Sequence, residues 1–299
     1  MPRAGPYGLG MAEDMTTIET QEVPGALDDD TRTRVHYAPG ARSSPSDRSV
    51  LQRAASLLQA FSDGEPVLTL NELVDRSGLP KSTVYRLAEQ LISLGWLEKD
   101  VFGYKIGLYL FEVGGLAERY RKLRDRALPY LQQLSYRTGL PVQFGVLKGR
   151  DVVYLERVLV REFPLPTRSG GRMPAHCTAL GKALLAFSAE KELQPVLAGP
   201  LEPRTPSTVT SHDQLLHELS HIRSSNFARE AEECYLGISC AAVPVRGSGN
   251  AIAAISVSGP PQSVKPSDLT PLLRAAAAGV WNDLLKPRSS DEGGRVSVP

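Results

Sequence analysis

Cysteine is scarce in this chain. Three residues of 299, Cys177, Cys234 and Cys240, are too few for a disulfide scaffold and fit a reducing compartment. None belongs to a CxxC pair, so no structural zinc site is expected. Long apolar runs are also missing. Nothing approaches the roughly 20 residues of a membrane helix, and the N-terminus lacks the apolar core of a secretory leader. A cytoplasmic protein without a membrane partner is the expectation. An excess of one charge is absent as well: 34 Lys and Arg stand against 33 Asp and Glu, a formal net charge of +1. This excludes a polybasic nucleic-acid coat, so any such contact must come from a local patch. No repeat at solenoid periods is present. What remains is a 41% hydrophobic composition, enough to bury a core, and a length that suggests about two domains.

The first 46 residues carry five prolines, the run Asp28-Asp29-Asp30, and four basic against seven acidic residues. Such a segment reads as a solvated, disordered extension rather than a DNA-binding arm; residues 287–299 read the same way. Order is expected from Asp47. Val50, Leu51, Ala54, Leu57, Leu58 and Phe61 have helical spacing, with Ser46 or Asp47 as the cap and Asp63-Gly64 as the stop. A second helix opens on Thr69, with Glu72 three residues later as in a capping box, and closes on Gly78. A third follows Pro80 and buries Val84, Leu87, Ala88 and Leu91. Two apolar-aromatic runs around a turn over residues 96–106 predict a hairpin. Helix, helix, turn, helix and hairpin give a winged helix-turn-helix over residues 47–107.

Residues 108–138 are again helical in pattern, with a break expected near Pro129. Residues 108–122 are assigned to a connecting and dimerising helix. Strands are expected at 142–147, 152–160, 238–245 and 251–258, and helices at 178–187, 214–224 and 269–285. Without strict βαβ alternation, residues 123–286 form an α+β domain with helices on a largely antiparallel sheet.

The third helix presents Lys81, Ser82, Thr83, Tyr85 and Arg86 away from its buried stripe. Short hydroxyls and free N–H groups at a helix start suit phosphate. Arg86 suits bidentate contact with guanine, and Tyr85 suits a phosphate or a thymine methyl. Lys105 and Lys99 on the hairpin are candidate wing contacts. Residues 48–106 hold seven cations and seven anions, so the argument rests on that one face rather than on net charge. An ordinary three-helix interaction module is the competing reading.

These residues resemble the IclR family of bacterial transcriptional regulators. Thr69–Leu73 and Ser77–Leu87 resemble its helix-turn-helix, and Pro174–Ala186 resembles the signature of its effector domain. Glu232-Glu233, Gly237, Cys240–Val245 and Ile255–Pro260 resemble its later blocks, in order, from about residue 47 to 285. The resemblance implies a GAF-like effector domain, a homodimer or homotetramer on a palindromic operator in double-stranded DNA, and a small-molecule effector, commonly an organic acid. It implies effector-lining positions at Ala179, Leu180, Glu230, Cys240, Ser256 and Ser258. The chain departs from the family pattern at Asn226, which stands where many members have glycine and suits a left-handed turn, and at Glu230 and Leu180, which are longer or bulkier than residues found there. Ser256 and Ser258, two apart on a strand, are expected to face one way. Cys240 is expected as a soft apolar wall. Glu230 points to a hydroxy or keto acid, or a neutral polar metabolite, rather than a multiply charged anion.

Other chemistry is less well supported. Cys177 beside His176 suggests a nucleophile and base, but neighbours along a chain seldom face each other and no orienting acid is evident. His176, Cys177, Cys234 and Cys240 lack metal-ligand spacing. Glu232-Glu233 reads as a solvated turn. No catalytic residue, metal or cofactor is assigned.

Overall fold

The computed structural model describes residues 49–63, 65–161 and 163–286. The expected N-terminal extension, the C-terminal tail, Ser46, Asp47 and Gly64 lie outside them.

The first unit is built as the capping signals dictate. Helix α1 (Val50–Gln59) starts one turn later than expected, because Ser49 caps it in a reciprocal box with Gln52. A 3-10 turn, Ala60–Asp63, follows. Helix α2 (Leu70–Ser77) opens on the Thr69–Glu72 box and ends on Gly78 at φ 66°. Helix α3 (Lys81–Ser93) buries Val84, Leu87, Ala88 and Leu91 against α1 and α2. The wing is β1 (Leu97–Lys99) paired antiparallel with β2 (Tyr104–Ile106). A Cβ on Gly103 would lie 2.4 Å from the Leu68 carbonyl oxygen, and its φ is 152°, so only glycine lets the wing pair back onto Leu68.

The expected break near Pro129 does not occur. Pro129 lies inside α5 (Glu118–Thr138), and the break falls earlier, between α4 (Leu108–Gly115) and α5. Gly114-Gly115 weakens the end of α4, and Ala117 takes a non-helical ψ of 67°. One continuous helix over 108–120 is therefore replaced by two, and residue 122/123, the expected domain boundary, lies within α5.

The second unit is a six-stranded antiparallel sheet in the order β5-β4-β3-β8-β7-β6. Its strands are β3 (Val142–Lys148), β4 (Asp151–Val158), β5 (Arg172–Pro174), β6 (Ala228–Ala231), β7 (Ser239–Val245) and β8 (Ala253–Gly259). Helices α5 and α9 (Pro266–Leu285) cover one face over Val142, Phe144, Ile255 and Val257. Helices α6 (Ala179–Ala186) and α8 (His212–Ser225) cover the other over Tyr154, Ala242 and Ala254. Helix α7 (Glu190–Leu197), β5 and β6 were not anticipated: they are short, and α7 carries an internal Pro195. Asn226 caps α8 at φ 51°, the left-handed turn expected of it.

Candidate functional site

Two sets of residues stand out. On α3, Lys81, Ser82, Tyr85 and Arg86 are exposed and Thr83 is half-buried. Among the described residues neither Lys81 nor Arg86 makes an ion pair, so both charges are open to a partner. The wing differs. Lys105 lies 3.4 Å from Glu98 and 4.0 Å from Asp100. Lys99 lies 3.9 Å from Glu89 and stacks over the Tyr104 ring at 5.2 Å. Wing cations are thus partly neutralised by neighbours, and the positive face concentrates at the start of α3.

The other set lies between the sheet and α6. Alternation along β3 and β8 sends Val142, Phe144, Ile255 and Val257 to one face and Gln143, Ser256 and Ser258 to the other. Strand register then lines the polar side chains up: Gln143 pairs with Ser256, Cys240 with Ser258, and Glu230 with Cys240. This band floors a small cavity of about 30 Å³. All six positions implied for an effector, Ala179, Leu180, Glu230, Cys240, Ser256 and Ser258, line it, together with Gln143, Tyr154, Thr167 and Tyr235.

The start of α6 forms the opposite wall. Thr178 Oγ1 accepts from the Gly181 N–H at 3.1 Å, and the Thr178 carbonyl accepts from the Lys182 N–H at 2.9 Å. The N–H groups of Ala179 and Leu180 have no acceptor among the described residues and belong to the electropositive end of the helix. A Cβ on Gly181 would lie 2.2 Å from the Ala175 carbonyl oxygen, so glycine is what lets the helix seat this close. Thr167 Oγ1 is buried and unpartnered among the described residues.

Cys240 is not a purely apolar wall: its Sγ lies 3.0 Å from Ser258 Oγ. Glu230 is 2% exposed and accepts from the Glu233 N–H at 2.9 Å. Burial raises its pKa to about 7, against the pull of the Cys240 and Glu233 contacts. Burial likewise pushes the Tyr154 phenol well up and that of Tyr235 up to about 12, so both stay protonated.

Glu232-Glu233 is not a solvated turn. Glu232 sits at φ 58° and accepts from the Gly237 N–H. Glu233 is buried, with both oxygens on Lys182 Nζ at 2.6 and 2.7 Å; Glu218 takes the same ammonium at 2.6 Å. Lys182 itself is 0% exposed. Burial raises the Glu233 pKa, and Lys182 opposes the rise. His176 places Nε2 3.1 Å from the Glu202 carbonyl oxygen, and burial lowers its pKa. Cys177 is buried, its Sγ 3.7 Å from the Pro174 carbonyl oxygen. No cluster of three or more potential metal ligands occurs among the described residues, and none of their helices is long and apolar enough to cross a membrane.

A winged helix with an open cationic face, joined to a sheet domain whose cavity carries a band of polar side chains, defines a ligand-responsive transcription factor. Residues 50–101 match the IclR helix-turn-helix domain, and residues 118–281 match the bacterial transcriptional regulator IclR C-terminal domain. The chain belongs to the IclR family of transcriptional regulators, with a helix-turn-helix and an effector-binding domain. It is 33% identical to the HTH-type transcriptional regulator XynR of Escherichia coli (strain K12), over 70% of this chain and 84% of XynR. With the HTH-type transcriptional regulator BhcR of Paracoccus denitrificans it shares 35% identity, over 74% of this chain and 80% of BhcR. Its fold is similar to that of an IclR homologue from Microbacterium hydrocarbonoxydans complexed with 4-hydroxybenzoate. There the TM-score is 0.72 and the identity 29%, covering 79% of this chain and 99% of that one.

Proposed function

We propose that this regulator reads a palindromic operator as a homodimer or homotetramer, through Lys81, Ser82, Thr83, Tyr85 and Arg86 with Lys105 at the flank. An organic acid or polar metabolite enters the cavity lined by Ala179, Leu180, Glu230, Cys240, Ser256 and Ser258 and changes operator affinity. Residues 47–107 are the reading head, 108–122 the connecting and dimerising segment, and 123–286 the sensing body of a cytoplasmic protein. The observation that carries this reading is the convergence of those six positions, from four separate elements, on one cavity whose helix wall offers unpaired N–H groups. The 4-hydroxybenzoate in the Microbacterium homologue supports an acid as the ligand class.

One recognition helix reads too few base pairs to find a site in a genome. Exposed apolar residues on and after α4, Leu108, Phe111 and Leu116, supply a surface for pairing. Two copies then place their α3 helices about 34 Å apart, or a multiple of that spacing, on DNA. The test selects bound DNA from a random library and titrates it by anisotropy, with and without a panel of carboxylates, beside light scattering of the free protein. A monomer that protects a single half-site sinks the assembly reading. Operator binding untouched by every acid and polar metabolite sinks the effector reading.

A further inference from the structure

The polar floor of the cavity has a direction, and hydrogen-bond accounting fixes it. Ser256 Oγ donates to Gln143 Oε1 at 2.7 Å and Ser258 Oγ donates to the same oxygen at 2.9 Å. A hydroxyl has one proton to give and an amide oxygen has two lone pairs. Both serine protons are therefore spent, and Oε1 is full. Cys240 Sγ touches both Ser258 Oγ, at 3.0 Å, and the Glu230 carboxyl, so its single proton is already engaged between them. Neither serine retains a proton for a guest in this arrangement.

What is left facing the cavity is the other end of the amide. Gln143 is 3% exposed and lines the cavity, and its Nε2 has no acceptor among the described residues. An amide N–H₂ that faces the cavity without an acceptor is a donor pair that a suitable guest can engage. Its oxygen end is pinned by two hydroxyls from the neighbouring strand, so the nitrogen end cannot swing away without breaking both bonds. Opposite stand the open Ala179 and Leu180 N–H groups, and the unpartnered Thr167 hydroxyl also lines the cavity. All of these groups can donate, and the Glu230 carboxyl completes the lining.

We propose that Gln143 is the residue that selects the effector, giving its amide N–H groups to a carboxylate or keto oxygen, and that Ser256 and Ser258 are positioning residues that act through it. The proposal rests on the reading of this cavity as the effector site, but it moves the ligand contact from the serines to a residue on a different strand. It also names the ligand chemistry at that end: an acceptor, with a carboxylate favoured over the corresponding amide.

The test uses the full chain and two probes, 4-hydroxybenzoate and its neutral counterpart 4-hydroxybenzamide, titrated by calorimetry. Gln143→Met keeps the shape and removes the donors; it is expected to weaken the acid by about tenfold to a hundredfold, the loss of a hydrogen bond to a charged group. The double variant Ser256→Ala/Ser258→Ala is expected to lose a similar factor. In the Gln143→Met background the two serine changes should add nothing, since a group that acts only through another has no effect once that other is gone. Additive losses, or a Gln143→Met protein that binds the acid as the parent does, overturn the assignment while leaving the effector cavity in place. A parent whose operator binding responds to none of the acids and polar metabolites titrated above overturns both. A ligand-free measurement that needs no glutamine variant tests the positioning role separately. With selective ¹⁵N-glutamine labelling of the full chain, the Gln143 side-chain amide signals should move toward those of solvent-exposed glutamines in the serine double variant. Signals that stay in place overturn the positioning role.

Discussion

Glu230 shows how burial can hold a proton on a carboxyl well above the usual carboxylate range. It is enclosed by Cys240 on β7, by Glu233 and Cys234 after β6, and by Lys182 on α6, and burial lifts its pKa from 4.5 to about 7. A folded-state value above the unfolded one means the folded protein holds the proton more tightly. Glu230 therefore contributes stability that is full below about pH 4.5 and is lost as pH rises through about 7. An anionic ligand should favour the protonated form in the same way. Its affinity is expected to fall above about pH 7, towards tenfold per pH unit, and Glu230→Gln should flatten the curve; titrations across pH 6 to 8.5 check it. Lys182 is the converse case, a buried cation held by two carboxylates. Lys182→Met would leave Glu233 buried and uncompensated, and should cost about 3–5 kcal/mol in urea unfolding. Neither partner was legible in the sequence. Lys182 sits in an apolar helix and Glu233 lies 51 residues away beside another glutamate, so no local pattern marks them as a pair. The serines were legible, because a two-residue spacing on a strand fixes their face whatever surrounds them. Gln143 obeys the same rule. It was missed because its meaning depends on β8 lying next to β3.

Elements with strong local signals came through almost unchanged. Thr69, Glu72, Gly78 and Pro80 delimit α2 and the start of α3, since caps and stops act within one turn of chain. The connection after the wing departs from the sequence expectation because the paired glycines, not the proline, end the helix. Pro129 is accommodated within α5, whereas Gly114-Gly115 and Ala117 end a helix that has few tertiary contacts to hold it. β5 and β6 went unseen because strands of three and four residues gain their identity from the sheet they edge. At the level of α3, the prediction concerns readout. Arg86→Ala should lose about 1–3 kcal/mol of operator affinity and relax preference at one base pair. Lys81→Ala should weaken all sequences alike and lower the salt slope by about one. Anisotropy titrations over a salt series, on operator and on single-base variants, separate the two.

At the scale of the whole molecule, hydrogen bonds among the described residues join the sheet unit to the winged-helix unit. The Arg168 guanidinium donates to the Ser62 carbonyl through Nε at 3.2 Å and through an Nη at 3.0 Å. Arg168 directly follows Leu165, Pro166 and Thr167, which line the cavity. Ser62 lies in the turn that ends α1, whose Ala60 and Phe61 pack in the same core as Val84 and Leu87 of α3. Arg168→Ala is expected to leave effector affinity within about twofold and to shrink the change in operator affinity that the effector causes. Paired measurements of the two affinities check it, and an undiminished response would rule the bonds out as a link.

The make-up of the cavity's walls has a mechanical consequence. Two of them are a hydrogen-bonded sheet and a helix seated on the Ala175 backbone. The side through Leu165–Thr167 belongs to no strand or helix. A guest that outgrows the cavity is expected to displace that stretch first, because no ladder or helix hydrogen bond has to break. Arg168 comes next in the chain, so guests of different girth would shift its two bonds to Ser62 by different amounts. The protein would then grade its output by the size of what it holds.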